Sequence, residues 1–190
     1  MKTGSLFFSL LCIFMLLSES VGATEWRTNS AEHSSISFVA SYDEIPFTGT
    51  FSNFRSVIHF DEGFANSFIY AEVDMTSFNT RSRDRDEALV EPDWFDTSQF
   101  TKAYFRSTSI REEDGQFHAQ GIISIKDLEQ SISFPFEWDV SDSAAKFKAT
   151  FALDRRTFRI GDGVWMEDPT IGYDVEVRVD LVLEKIETED

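Results

Sequence analysis

Three segments of the chain alternate between apolar and polar residues, which is the period expected of a half-buried β-strand. The longest begins at Ile171, where apolar side chains occupy the odd positions as far as Leu183. The same alternation runs through 131–139 and 146–154. Because successive side chains of a strand point to opposite faces, each segment predicts a strand with one face in a core and one face in water.

Weaker versions of this pattern extend the strand prediction over most of the chain. Turn-forming residues, such as Glu113-Asp114-Gly115, separate several of the segments and indicate hairpins. Eight strands with one apolar face each close well into a barrel, because closure leaves no exposed strand edge. The sequence therefore predicts an all-β fold, an eight-stranded antiparallel barrel, with the remaining strands at 34–42, 47–61, 67–76, 102–110 and 116–126.

One charged segment interrupts the strands. Thr80–Glu91 contains helix formers near its end, and Pro92 stops it. The segment predicts a short helix in the long connection between the third and fourth strands. Two interpretations stay open for it: a lid over one barrel end, or a solvated surface helix that plugs that end.

The N-terminal residues have the features of a secretory signal peptide. Lys2 precedes a 12-residue apolar run, Leu6–Leu17, and small or modest residues lead up to Ala23. The run is shorter than the roughly 20 residues that span a bilayer. We therefore predict a signal peptide over 1–23, one domain over 24–190, and a periplasmic location. Cleavage removes Cys12, the only cysteine, so the mature chain is expected to contain no disulfide.

Composition and charge exclude several function classes. The net charge is −17, which argues against nucleic acid and anionic membrane surfaces as partners, and no stable membrane insertion is expected. The three histidines, His33, His59 and His118, lack the spacing of a metal site. No nucleotide-binding or hydrolase motif is present either, so we predict no metal, no cofactor and no catalytic residue.

Phenylalanine is the abundant aromatic residue, with 20 Phe beside 4 Tyr and 4 Trp. A Phe ring carries no polar group, so these rings must bury against one another or against an apolar guest. An eight-stranded barrel is just wide enough to be filled by side chains or to hold one small ligand. From the pattern alone, a filled core and an apolar tunnel both stay open.

Several short stretches between residues 26 and 186 carry a family resemblance. They include the stretches 32–38 (EHSSISF), 49–54 (GTFSNF), 80–96, 104–107 (YFRS), 153–158 (LDRRTF) and 161–165 (GDGVW). In this order they resemble the YceI-like family, the polyisoprenoid-binding, lipocalin-like proteins of bacterial periplasms. The resemblance implies a lipocalin-like barrel with a long hydrophobic pocket, an isoprenoid or other long-chain amphiphile as ligand, and a role in transport or storage.

The tunnel interpretation yields a set of candidate ligand-binding residues. Several inward-facing residues on different strands are expected to line one continuous tunnel with its mouth near Thr80–Phe95. The candidates are Phe38, Phe105, Ile123, Phe134, Phe136, Phe151 and Val177. A lipid-binding carrier without catalysis is the leading hypothesis. A lipid-modifying enzyme, a filled barrel that acts as a stress or interaction module, and a homodimer stay open beside it.

Overall fold

The computed structural model describes residues 24–28, 33–61, 63–141 and 143–186. The predicted signal peptide lies outside these residues. Within these residues, one short helix, α1, spans Arg83–Leu89, and two 3₁₀ turns cover Arg155–Phe158 and Gly163–Trp165. The strands are β1 (Thr24–Thr28), β2 (Ser35–Tyr42), β3 (Ile45–Phe51), β4 (Phe54–Phe60), β5 (Phe68–Asp74), β6 (Phe78–Asn79), β7 (Lys102–Glu113), β8 (Gln116–Ile125), β9 (Leu128–Val140), β10 (Ala144–Asp154) and β11 (Asp174–Ile186).

The strands form a closed antiparallel barrel, as the sequence predicts. Eight of them make the ring in the order β1-β4-β5-β7-β8-β9-β10-β11, and pairing between β1 and β11 closes it. The other three strands, β2, β3 and β6, continue the sheet from β11. Trp26 lies opposite both Ile58 of β4 and Lys185 of β11, so the short strand β1 joins the two ends of the ring.

The helix follows β6 and not the third strand, so its predicted place in the strand order is wrong. One reason is that the predicted strand 47–61 is divided into β3 and β4. Phe47 and Phe51 face the interior from odd positions of β3, whereas Phe54 and Ile58 face it from even positions of β4. The phase changes at 52–53, where Ser77 binds both interrupting residues.

The faces predicted for the last three strands are confirmed. Phe134 and Phe136 of β9 are buried, and Ser133 between them is exposed. On β10, Phe147 and Ala149 are buried while Lys148 is exposed. The alternation in these strands therefore reports the interior of the barrel directly.

The interior divides along the barrel axis into a packed half and a hollow half. In the packed half, aromatic rings lie against each other, as in the stacked pair Phe134–Phe151 with ring centroids 4.6 Å apart. In the other half, a second cluster contains Phe38, Met75, Leu89 and Phe95, together with Ala103. These residues surround a cavity.

Candidate functional site

An apolar cavity of about 150 Å³ occupies the hollow half of the barrel. Strands β2, β3, β7, β8 and β11 supply wall residues, and so does the segment that contains α1. Nearly all the side chains on the wall are aliphatic or aromatic, and Arg155 is the charged exception among the described residues. The wall includes Ile36, Phe38, Phe47, Phe51, Met75, Leu89, Trp94, Phe95, Ala103, Ile123, Leu153, Arg155, Phe158 and Val177.

The structure divides the seven candidate residues between the two halves of the barrel. Phe38, Ile123 and Val177 lie on the cavity wall. The other four belong to the packed core or lie against it: Phe105, Phe134, Phe136 and Phe151. Their rings contact one another and other rings, for example Phe105 and Phe134 at 5.3 Å between centroids, and they do not line this cavity.

A cap formed by α1 and the residues up to Phe100 covers one end of the cavity. Leu89, Trp94 and Phe95 of this cap lie on the cavity wall. The Phe95 ring meets Phe38 edge to face at 6.2 Å and Phe78 at 5.3 Å. The predicted tunnel residues did not include these cap residues, although two adjacent rings at 94–95 in a charged segment are the signal that could have identified them.

Local hydrogen bonds build the cap. The Asp86 carboxylate accepts hydrogen bonds from the Thr80 amide at 2.9 Å and from the Thr80 hydroxyl at 2.6 Å. At the other end, the Phe95 amide donates to the Leu89 carbonyl at 3.0 Å, which turns the chain back over the barrel. Arg85 lies over the Phe47 ring at 4.0 Å from its centroid, a cation–π contact between the cap and β3.

The cap is fastened to the loop that follows β10. The Asp93 carbonyl accepts from the Gly161 and Asp162 amides, both at 2.7 Å. Lys126 Nζ donates to the Pro92 carbonyl at 3.1 Å and to the Arg159 carbonyl at 3.0 Å, and so bridges the two segments. Burial lowers the pKa of Lys126 below its ordinary value, and the acidic groups around it partly oppose that shift.

Arg155 holds the same loop from within. Its side chain is 3% exposed, and it donates to carbonyl oxygens of five residues: Ile160, Gly161, Trp165, Ile171 and Gly172. A guanidinium has five N–H groups, so every donor is used by the backbone. Burial lowers the pKa of Arg155. Arg155 therefore organises the rim of the cavity and has no free donor for a ligand.

No three or more His, Cys, Asp or Glu residues in the described part of the chain are grouped so that they could hold a metal ion. None of the helices in that part is both long and apolar enough to cross a membrane.

Comparison with known sequences gives a family match over most of the chain. The model of the YceI-like domain family matches residues 26–183. A UPF0312 protein of Vibrio parahaemolyticus is 28% identical over 138 residues, which cover 70% of this chain and 73% of the relative. Protein YceI of Salmonella newport is 22% identical over 135 residues, covering 70% of this chain and 71% of the relative.

Comparison with solved structures gives the same fold. BcnA of Burkholderia cenocepacia superposes with a TM-score of 0.74 at 23% identity, over 78% of this chain and 95% of BcnA. A polyisoprenoid-binding domain from Saccharophagus degradans, implicated in plant cell wall breakdown, gives a TM-score of 0.64 at 13% identity. That match covers 87% of this chain and all of the other domain.

Proposed function

Because the chain belongs to the YceI-like domain family, we propose that it is a periplasmic binding protein for an isoprenoid or other long-chain amphiphilic lipid. Its role is to transport or store the lipid, and it is not an enzyme. The binding of a polyisoprenoid by a domain of the same fold supports the ligand class. The predicted signal peptide supports the location.

The observation that carries this proposal is the apolar cavity beneath the cap. A hydrocarbon chain moved from water into such a cavity gains about 25 cal/mol for each Å² of apolar surface buried. Binding of this kind needs few polar contacts, and the wall from Phe38 on β2 round to Val177 on β11 provides mainly apolar ones. A lipid chain is the ligand that best fits such a wall.

The cavity is small for a long lipid chain. Its volume of about 150 Å³ lies below the roughly 300–1,000 Å³ of ordinary ligand pockets. A long chain therefore requires side chains of the wall to move. We expect Leu89, Trp94 and Phe95 to move, because they belong to a short cap rather than to the barrel.

The test is to export the protein from a Gram-negative host and to examine it by native mass spectrometry and solvent extraction. We expect a long-chain lipid to co-purify with the protein and to be recovered chemically unchanged. Turnover of that lipid on incubation would instead make the protein an enzyme. A protein that arrives empty and also fails to bind an added isoprenoid alcohol would contradict the proposal and favour a filled barrel used for protein interactions.

A matched pair of variants ties binding to the cavity. Val177→Asn places an amide on the wall, and an unpaired buried polar group costs about 1–3 kcal/mol, or roughly 5- to 150-fold in affinity. Lys148→Gln changes an exposed residue on the neighbouring strand and should leave affinity unchanged. Lipid affinity is measured by displacement of a fluorescent fatty chain, and folding by circular dichroism. Equal affinities in the two folded variants would show that the lipid binds elsewhere.

A further inference from the structure

An apolar stripe of the cavity wall continues past the cavity to the tip of the β2–β3 hairpin. Ala40 of β2 and Phe47 of β3 line the cavity and lie opposite each other in the strand register. The next residues on the same face are Tyr42 and Ile45, because side chains on one face of a strand recur at every second residue. Phe38 further inside is 7% exposed, whereas Tyr42 is 58% and Ile45 is 68% exposed. The stripe therefore leads from the cavity into solvent.

Trp165 is another exposed apolar side chain at the same end of the barrel. Its ring is 36% exposed and lies 6.1 Å, between centroids, from the ring of Trp94, which is on the cavity wall. The loop that follows Trp165 is joined to the hairpin tip, because the Asp43 amide donates to the Thr170 carbonyl at 2.6 Å. We call these three exposed side chains beside the cavity the lip: Tyr42, Ile45 and Trp165.

A long lipid chain extends beyond this cavity. A closed apolar cavity of about 150 Å³ holds a ligand of about the size of benzene, and the volume here is the same, about 150 Å³. An alcohol of four isoprene units is several times larger, so part of its chain lies outside even after the cap residues move. Apolar surface that stays in water contributes nothing to binding. An apolar surface that adjoins the cavity would therefore increase the affinity for a long chain.

The charges at the hairpin tip favour a single lipid chain over a lipid bilayer as the group that covers the lip. Asp43 and Glu44 form the tight turn between Tyr42 and Ile45, with φ of 50° and 62°, and both are exposed. Their carboxylates would meet a bilayer before the apolar side chains do, and burial of an unpaired charge is costly. A single chain can lie along the stripe without covering either carboxylate.

We propose that the lip binds the part of the lipid chain that extends out of the cavity. One part of the chain occupies the cavity, and the outer part lies against Tyr42, Ile45 and Trp165. This inference rests on the proposed function, because it assumes that a lipid chain enters the cavity. It goes further by assigning a second binding surface to the same ligand, and it makes affinity depend on the length of the chain.

The experiment compares a short and a long isoprenoid alcohol. Geraniol has two isoprene units and geranylgeraniol has four, so the longer chain covers much more of the lip. Wild-type protein should bind geranylgeraniol at least about tenfold more tightly, because each additional buried CH₂ group contributes about 0.8 kcal/mol. Ile45→Thr keeps a β-branched side chain but makes the lip more polar. This variant should bind geranylgeraniol about three- to tenfold more weakly and geraniol with unchanged affinity. Isothermal titration calorimetry measures both affinities, and thermal unfolding checks the fold.

Val140→Thr is the matched control. Val140 is 51% exposed and lies opposite Ala145, near the start of β10, whereas Leu153, near the end of β10, is on the cavity wall. The same kind of change at this opposite end of the barrel should alter neither affinity. Weaker binding of geranylgeraniol by Val140→Thr, but not by Ile45→Thr, would place the outer chain at the wrong end and overturn the proposal.

The two chain lengths separate failure of the lip from failure of the proposed function. A folded Ile45→Thr protein that keeps its affinity for geranylgeraniol, or that loses affinity equally for both alcohols, overturns the role of the lip and leaves the proposed function intact. The lip is equally overturned if Ile45→Thr keeps both affinities but loses attachment to phosphatidylcholine vesicles, since the lip would then contact a bilayer. Failure of the wild type to bind either alcohol overturns both proposals.

Discussion

Gly49 shows how a single residue sets the space inside the hollow half. A Cβ atom at this position would lie 2.2 Å from both Cε1 and Cζ of Phe38. Those atoms are the outer end of a ring that lies on the cavity wall. The glycine therefore allows the Phe38 ring to lie flat against β3 and keeps the cavity open.

Replacement of Gly49 by alanine should push the Phe38 ring into the cavity. The ring can turn because the cavity offers it space, so the Gly49→Ala protein should fold. Its affinity for a long-chain lipid should fall about fivefold or more, consistent with the roughly 1–3 kcal/mol of an overpacked site. Displacement of a fluorescent fatty chain measures the affinity, and thermal unfolding measures the fold.

Gly121→Ala is the contrasting variant. Its Cβ would lie 2.5 Å from the Arg106 carbonyl oxygen and 2.6 Å from Cζ of Phe105, in the packed half. A backbone oxygen cannot turn aside, so this variant should lower the melting temperature. If Gly49→Ala lost stability as severely as Gly121→Ala, the assignment of open space next to Phe38 would be wrong.

The candidate residues show why the site could be predicted only partly. Phe38 and Phe134 both follow the alternation correctly, and both face the interior. Alternation reports which face of a strand is inside, but it carries no information about depth along the barrel axis. Whether an inward ring meets the cavity or another ring depends on the cap and on where β9 and β10 cease to pair, beyond Phe136 and Ala149. Neither feature leaves a periodic signal in the sequence.

At the scale of elements, the prediction succeeded where one phase persists along a strand. In β9, β10 and β11 the inward phase holds throughout, and the strands were found with their faces. It failed where the phase changes, as between β3 and β4. A similar irregularity lies within β7, where the register shifts between Ser107 and Ser109. A bulge inserts one residue and inverts the pattern beyond it.

One carboxylate on the outer face of the barrel, covered by its neighbours, connects three adjacent strands through hydrogen bonds. Glu72 of β5 is 7% exposed. It accepts hydrogen bonds from Lys102 of β7 and from Arg55 of β4, the latter at 2.6 Å. The Lys102 ammonium, followed by the Arg55 guanidinium, holds the pKa of Glu72 below its ordinary value despite the opposing effect of burial.

A lowered carboxyl pKa makes a definite prediction about pH. Glu72 stabilises the fold above its unfolded-state pKa of about 4.5, and this contribution is lost as the pH falls through the lower folded-state pKa. Glu72→Gln should therefore melt below the wild type at pH 7, and the difference should shrink at pH 3. Glu129→Gln, which alters an exposed carboxylate on β9, should have little effect at either pH. An equal deficit for Glu72→Gln at both pH values would show that the charge of Glu72 is not responsible.

The Lys126 bridge should control how fast the cap opens. Lys126→Met removes both hydrogen bonds to the Pro92 and Arg159 carbonyls but keeps most of the aliphatic side chain. The bridge does not touch the cavity wall. We therefore expect a bound fatty chain to be released faster, with only a small change in melting temperature. Stopped-flow displacement measures the release rate. Arg83→Gln, which breaks an exposed ion pair within α1, should leave the rate unchanged. If the Lys126→Met protein released the fatty chain at the wild-type rate, opening of the cap would not control the exit of the ligand.

At the scale of the whole molecule, closure of the barrel depends on a strand of five residues. All five residues of β1 pair with β4, and Glu25, Trp26 and Arg27 also pair with β11. Trp26 is buried and meets Trp138 edge to face at 6.1 Å. The signal peptide is predicted to end at Ala23, immediately before this strand, so the cleavage position decides whether the barrel can close.

We therefore predict that the exported protein begins at Thr24 and that a chain lacking 24–28 does not form the barrel. Without β1, β4 loses its partner along one edge, and the end of β11 at 184–186 is unpaired although 176–180 still pair with β2. These exposed edges favour aggregation over closure. Intact-mass measurement of the exported protein identifies its first residue, and size-exclusion chromatography with thermal unfolding compares chains that begin at Thr24 and at residue 29. Trp26→Ala is the control, because it keeps the backbone pairing of β1 and loses only the ring, so it should fold with a lower melting temperature. A monomeric, cooperatively folded chain that begins at residue 29 would show that the barrel does not need β1 to close.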